Sequence, residues 1–431
     1  MSVRVNGEQI RAFRLRGHGL DRHRLERHRL DRHALDESSE AATDPTAVML
    51  DAAGRCGVQN SPPGSALLAL DARVGALSAA HFEGAIAEDR SLLQTWSLRG
   101  APYLFPTADA ALFTSGVLPP TEEAARRFLP GVVPALDALD ITLTAMTDDL
   151  AAELPAVLAG RQLDIHELGT ELAPRVEPRL SAAQRALWRE EGPHAPGQSQ
   201  GEAVVHFAVR LLALRGLICI APRTEARAQF VLVREFLGAE LPQGDPALAR
   251  AELLRRYLRC FGPATRADFA DWVGVGSRDA ESWSGLCADE LAPVRTEAGE
   301  RWLLATDVPA LTRAAPGAAS GPVSGALSDG AEGVRLLPPS DPYLRQPDRE
   351  VIVPRERHAE VWRTVGAPGV ALRDGIAVAS WRARLRGRRL DVTFTPWGAL
   401  SRQARDQLAD AAERMALLRG AARARVECAP G

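Results

Sequence analysis

The chain has 431 residues, of which 46% are hydrophobic and 25% charged, with a formal net charge of −3 at pH 7. That length exceeds one ordinary core and predicts two to four domains. No run of about 18 apolar residues is present to span a bilayer, and the near-zero charge points to no polyanionic partner unless charge is concentrated locally.

The N-terminus, Met-Ser-Val-Arg-Val-Asn-Gly-Glu, has no apolar leader, so a cytoplasmic location is expected. All 52 basic residues are arginine, a bias that a GC-rich genome explains. Cys56, Cys219, Cys260, Cys287 and Cys428 are widely spaced without a Cys-x-x-Cys pair, so neither a zinc site nor a disulfide framework is expected.

Residues 1–44 read as an arginine- and histidine-rich repeat segment. From Leu20 to Asp36 a five-residue unit recurs, Leu-Asp-Arg-His-Arg, Leu-Glu-Arg-His-Arg, Leu-Asp-Arg-His-Ala. Five residues advance an α-helix by about 140°, which scatters the leucines around the axis. A solvated, salt-bridged helix or a low-complexity insertion fits this pattern. His18, His23, His28 and His33 then point in different directions, which argues against a metal site.

Residues 45–143 form the first expected unit, with helices from Pro45 to Cys56, Pro63 to Gly75 and Ala79 to Leu98, and a wing beginning at Tyr103-Leu-Phe. Within it, Gln59-Asn-Ser-Pro-Pro-Gly64 places an amide-rich turn at a helix start. Ser61 is the expected N-cap, with Pro62 at the first helical position. Thr95-Trp-Ser-Leu-Arg-Gly100 reads as a helix end running into a strand, and together the two segments suggest a DNA-facing site. Trp96 reads as core, and Arg99 as a holder of a phosphate or an internal carboxylate.

Residues 144–240 repeat the order more loosely. Asp164 to Leu172 and Glu202 to Gly216 are helical, the runs starting at Leu217 and Gln229 are strands, and Gly192 to Gln200 is an inserted loop. Residues 241–312 show it most clearly: helices from Ala249 to Phe261, from Thr265 to near Gly274 and from Ser277 onward precede strands at Ala292 and Arg301 with a turn at Glu297-Ala-Gly299. Three helices followed by a hairpin predict a winged helix. The third of these helices carries Asp279, Glu281, Asp289 and Glu290 against Arg278 alone, so a major groove would repel it.

Residues 313–333, rich in Gly, Ala, Ser and Pro, read as a linker. Residues 334–431 read as a small α+β domain with strands at Val370, Ile376 and Leu390, a tight Asp374-Gly375 turn, and a helix from Arg402 to Arg419 that closes the chain. Asp341 reads as a structural cap. The expected fold is therefore mainly α with small β-hairpin wings (α+β), three tandem winged-helix units and a C-terminal α+β domain. Arg382, Arg384, Arg386, Arg388 and Arg389 cluster at a hairpin tip around Gly387 with no acid among them, a pattern suited to phosphates.

The ordered series Gly-Val-Gln-Asn-Ser-Pro-Pro-Gly-Ser-Ala, Thr-Trp-Ser-Leu-Arg-Gly, Tyr257-Leu-Arg-Cys-Phe-Gly-Pro-Ala-Thr, Leu336-Leu-Pro-Pro-Ser-Asp-Pro-Tyr343 and Ser380-Trp-Arg-Ala-Arg resembles the bacterial winged-helix family that includes the AlkZ-type DNA glycosylases, from about Pro45 onward. The resemblance implies three tandem winged helices round a DNA-sized channel, a basic hairpin that engages the duplex, and excision of alkylated purines through a Gln-hydrophobic-Gln motif. The first Gln falls on Gln59, while Asn60 takes the hydrophobic position and Ser61 that of the second Gln. Tyr103 stands where many members have His, and Ala101 replaces a Thr.

Gln59, Asn60 and Ser61 are accordingly the candidate catalytic residues, with a turn-stabilising role as the structural alternative. Arg99, Arg382, Arg384, Arg386, Arg388 and Arg389 are the candidate DNA contacts. Double-stranded DNA is the expected partner, with nucleoid association, no cofactor, no metal, no membrane and no inferable protein partner. The alternatives are a non-catalytic regulatory or architectural DNA binder and a scaffold for protein contacts.

Overall fold

The computed structural model describes residues 3–21, 44–75, 77–193, 195–223, 227–242, 244–313 and 334–429. The repeat beyond residue 21, with His23, His28 and His33, and the expected linker from 314 to 333 lie outside the described residues. The protein is mixed α+β, with two compact units: residues 1–82, 255–265 and 288–431 form one, and residues 83–254 and 266–287 the other. Among the described residues, no helix is long and apolar enough to cross a membrane.

In the first unit, residues 3–21 are built into the core, where the sequence suggested only a repeat segment. Val3–Arg4 pairs in parallel with Leu291–Thr296, which pairs antiparallel with Gly299–Leu304. The helix Gly7–Gly17 starts from an Asn6/Gln9 capping box, which satisfies two otherwise orphaned N–H groups. Its Ile10 and Phe13 pack on Val294, Leu303 and Leu311. The fully buried Arg14 donates to the Gly262 and Pro263 carbonyls and to Asp348.

The same unit holds a five-stranded sheet in the order Arg423–Cys428, Arg389–Pro396, Ile376–Arg386, Gly369–Arg373, Arg335–Leu337. Asp374 and Gly375 turn with φ of 50° and 80°, the paired positive values of a tight two-residue hairpin. The helix Arg402–Leu418 does not close the chain. It is a crossover into Arg423–Cys428, which adds in parallel to Arg389–Pro396. Charged residues dominate that last strand, but alternate positions Ala424 and Val426 turn inward. There they join Trp381, Val392, Phe394 and the helix residues Leu408 and Met415.

The second unit is largely helical. Leu143–Leu158, Ile165–Val176 and Gln200–Leu214 pack together, the latter two opened by capping boxes at Asp164/Glu167 and Ser199/Glu202. The strands Ile218–Ile220 and Phe230–Leu232 pair where the sequence suggested. The expected helix from Ala79 to Leu98 is shorter: it ends at Ala87, and Leu92–Trp96 is a strand paired antiparallel with Pro102–Pro106. Its Leu92, Leu93 and Thr95 are buried, and Arg99 and Gly100 adopt φ of 55° and 63° to turn the hairpin, so Thr95 and Trp96 lie within a strand.

Pro246–Phe261, Arg266–Val273, Ser277–Gly285, Leu291–Thr296 and Gly299–Leu304 reproduce the helix, helix, helix, hairpin order read from the sequence.

Candidate nucleic-acid interface and amide turn

The helix that follows the amide turn begins at Ser65 and runs to Val74, so Ser61 is not its cap. Gly64 takes the capping position at φ 84°, a conformation suited to glycine, and offers no side-chain acceptor. The orphaned N–H groups are served from further back: Asn60 Oδ1 accepts from Gly64 N at 3.0 Å and Ala66 N at 3.3 Å. Asn60 thus has a helix-capping role, and both lone pairs of its oxygen are engaged. Ser61 is exposed, and its hydroxyl makes no hydrogen bond among the described residues.

Gln59, half-buried at the end of the short strand Val58–Gln59, keeps its amide beside a cation. Its Oε1 accepts from Arg345 Nη2 at 3.3 Å, and its backbone oxygen accepts from Ser340 Oγ at 3.5 Å. Both partners sit in the segment fixed by Asp341, which is fully buried and receives two 2.9 Å hydrogen bonds from Arg73 on the helix Ser65–Val74. Asp341 also accepts from Tyr343 N at 2.8 Å, the capping role read from sequence. Burial opposes the Arg73 charge, but the Asp341 carboxylate outweighs it and leaves the guanidinium pKa raised. Removing one member of such a buried pair costs about 3–5 kcal/mol, so the pair is the clamp on the turn.

The arginine hairpin forms one face of the five-stranded sheet. Arg382, Arg384 and Arg386 alternate on the exposed side of their strand, opposite Thr393, Asp391 and Arg389. The last strand extends each row with Glu427, Arg425 and Arg423. Six guanidinium groups therefore share this face with two carboxylates. Arg388 lies in the exposed turn beside Gly387, whose φ is 57°.

The sequence cluster looked free of acid, but the fold brings one across the hairpin. Asp391 receives Arg389 Nε at 2.7 Å and Arg386 Nε at 3.1 Å. The Arg389 hydrogen bond, followed by the charges of Arg389, Arg386 and Arg425, holds the Asp391 pKa below the usual carboxylate range. Arg382 donates to the Gly366 carbonyl at 2.8 Å. Arg384 and Arg388 make no side-chain hydrogen bond or ion pair among the described residues.

The turn and the face share a support. Leu67 and Leu68, on the helix capped by Asn60, pack in the same apolar cluster as Trp381, Val392 and Phe394 beneath the arginine rows. Arg99 belongs to the other unit, where its guanidinium is committed internally to the Trp272 carbonyl and the Tyr103 hydroxyl. Trp96 is half-buried between the Phe230 ring and the Arg210 guanidinium, a packing role as expected.

Sequence reading missed Arg73, Ser340, Arg345, Arg423 and Arg425. Ser340 lies within the Leu336–Tyr343 motif, which has no periodicity of its own, Arg345 lies two residues beyond it, and Arg73 carried no local signal on its helix. Arg423 and Arg425 were hidden by the unrecognised final strand.

The family model described as DNA glycosylase AlkZ-like matches residues 53–418, a span that includes both the amide turn and the arginine hairpin. The chain is similar to an interstrand DNA cross-link repair glycosylase of Streptomyces sahachiroi, with 28% identity over 358 residues, 79% of this chain and 83% of the relative. The structure of the Streptomyces sahachiroi DNA glycosylase AlkZ superposes with a TM-score of 0.69 at 23% identity, covering 99% of this chain and 100% of that one. The chain belongs to the AlkZ-like DNA glycosylase family.

Proposed function

We propose that this protein is a DNA glycosylase that excises N-alkylated purines from duplex DNA, with Gln59 positioning the attacking water. The observation that carries this reading is the family match across 53–418, a span that contains Gln59. An N-alkylated purine is already cationic, so its C1′–N bond breaks with the electron pair leaving on a neutral base. Water adds to C1′, loses a proton and gives the abasic sugar. The protein has to hold the extruded nucleotide, stabilise positive charge on the sugar and place the water.

An amide oxygen has two lone pairs. Arg345 takes one from Gln59 Oε1 and fixes the amide plane, leaving the second for a water proton. Asn60 Oδ1 has no such capacity, because two backbone N–H groups occupy it. The second acceptor is therefore the exposed Ser61 hydroxyl, and Asn60 is a positioning residue. The arginine face supplies phosphate contacts through Arg384, Arg388 and Arg425, with Arg382, Arg386, Arg389 and Arg423 around them. Three tandem winged helices over 45–143, 144–240 and 241–312 are the proposed scaffold, supported by the element order from 246 to 304.

The test is release of 7-methylguanine from alkylated duplex DNA. Gln59→Ala is expected to lower release by about 10²–10³-fold, the size of losing one oriented polar group, with duplex affinity unchanged. A second reading, a non-catalytic DNA binder, is favoured by the engaged Asn60 oxygen and by a hydroxyl at position 61. Salt-dependent duplex binding by the wild type without base release above background would establish that reading.

A further inference from the structure

Three residues distant in sequence meet inside the first unit. The helix Gly7–Gly17 ends so close to the helix Pro246–Phe261 that a Cβ on Gly17 would lie 2.1 Å from the Arg259 carbonyl oxygen, an approach only glycine allows. The next residue, His18, is thereby set beside Cys260, and the helix Pro45–Cys56 ends on Cys56. The two sulfurs and a ring nitrogen of His18 all lie within 4.8 Å of one another. All three residues are buried, with exposures of 1% for His18, 4% for Cys56 and 1% for Cys260.

The imidazole is held edge-on between the rings of Phe261 and Tyr343, with centroids at 4.8 and 5.4 Å. Two buried polar atoms here have no hydrogen-bond partner among the described residues: His18 Nδ1 and Gln346 Oε1. Gln346 Nε2 lies 3.3 Å from His18 Nε2. A side-chain amide can be turned end for end about its terminal bond, and in that orientation His18 Nε2–H donates to Gln346 Oε1. Nδ1 is then the nitrogen left with a lone pair to offer, and an amide carbonyl orients the imidazole from its other nitrogen, the usual support of a metal-ligating histidine.

We propose that His18 Nδ1, Cys56 Sγ and Cys260 Sγ form a buried site for one thiophilic d10 cation, Zn²⁺ or Cu⁺. Metal–sulfur and metal–nitrogen bonds of about 2.3 and 2.0 Å set the ligands about 3.5–4 Å apart, so the cluster need close by at most about 1.3 Å. Binding releases the two thiol protons to solvent and changes no oxidation state. Two thiolates neutralise Zn²⁺ completely and leave Cu⁺ with one excess negative charge. The ion would join the ends of three helices three residues before Gln59, and would act as a structural pin on the amide turn. This site reverses the expectation of no metal, because contacts between sequence-distant residues replaced the paired-cysteine spacing.

The experiment uses the full chain, reduced and freed of metal, titrated with Co²⁺ as a spectroscopic probe, then with Zn²⁺ and anaerobically with Cu⁺. We expect one equivalent per chain, a thiolate-to-cobalt charge-transfer band, and a rise in Tm with Zn²⁺ or Cu⁺. Stoichiometric binding of one ion alone identifies which of the two is held. Cys56→Ser and Cys260→Ser should lose the band, and Gln346→Ala should weaken binding by about 10–100-fold. The control variants Cys428→Ser and His23→Ala/His28→Ala/His33→Ala should retain the site. Should the cysteine variants fail to fold, metal-dependent protection of Cys56 and Cys260 from alkylation in the wild type still decides the matter. Failure of both Zn²⁺ and Cu⁺ to reach one equivalent, a cobalt complex without the thiolate band, or loss of binding only in the triple histidine variant overturns the site.

Discussion

The amide turn and the arginine face rest on one apolar core and handle their polar groups in opposite ways. At the turn almost every group is committed inward: Asn60 caps the helix, Arg345 and Ser340 hold Gln59, and Asp341 is buried against Arg73. On the sheet the guanidinium groups project outward, and Asp391 restrains two of them. A group that must hold one water in register needs a rigid frame. Cations that attract a phosphate backbone need proximity more than precision, so chain flexibility costs them little.

If this contrast is right, damage to the frame and damage to the face have different signatures. The largest effect is expected from Asp341→Ala, which leaves Arg73 buried and uncompensated. Urea denaturation should show a loss of about 3–5 kcal/mol, with base release falling in parallel. A loss below about 1 kcal/mol would mean that the pair does not clamp the turn. Next comes Arg384→Ala/Arg388→Ala/Arg425→Ala. The folded state should keep its stability, while the dependence of log affinity on log salt becomes shallower by about 0.9 for each phosphate no longer neutralised. An unchanged slope removes the face from the DNA interface.

Asn60→Ala should cost about 1 kcal/mol in stability through its cap, while leaving the salt slope intact. The smallest effect is expected from Asp391→Asn, which releases Arg386 and Arg389 and should tighten duplex binding a few-fold at low salt. Weaker binding by that variant would show that the acid orders the face and does more than trim its charge.

Much of the fold could be read in advance where local chemistry is self-sufficient. The helices beginning near Asp164 and Glu202, the Asp374-Gly375 turn and the helices before the Leu291–Leu304 hairpin all carry their signal within a few residues. Leu92–Trp96 misled because five residues are too few to separate a strand from a helix end, and its identity comes from pairing with Pro102–Pro106. Arg423–Cys428 was obscured by its own charges. Gln59 could be found through the family motif, but the engaged state of Asn60 could not, since that depends on where the helix starts. The Cys56–Cys260 encounter depends on helix ends that only tertiary packing brings together.

The short parallel pairing of Val3–Arg4 with Val294–Arg295 bears on where the chain can be trimmed. A fragment cut to the family-matched span would begin after this pairing and lack Ile10, Phe13 and the imidazole at position 18. It would leave one margin of a small sheet unpaired and strip the apolar cover from Val294 and Leu303. The bare margin would invite another copy to add its own strand, so the clipped protein should self-associate more readily than the whole chain.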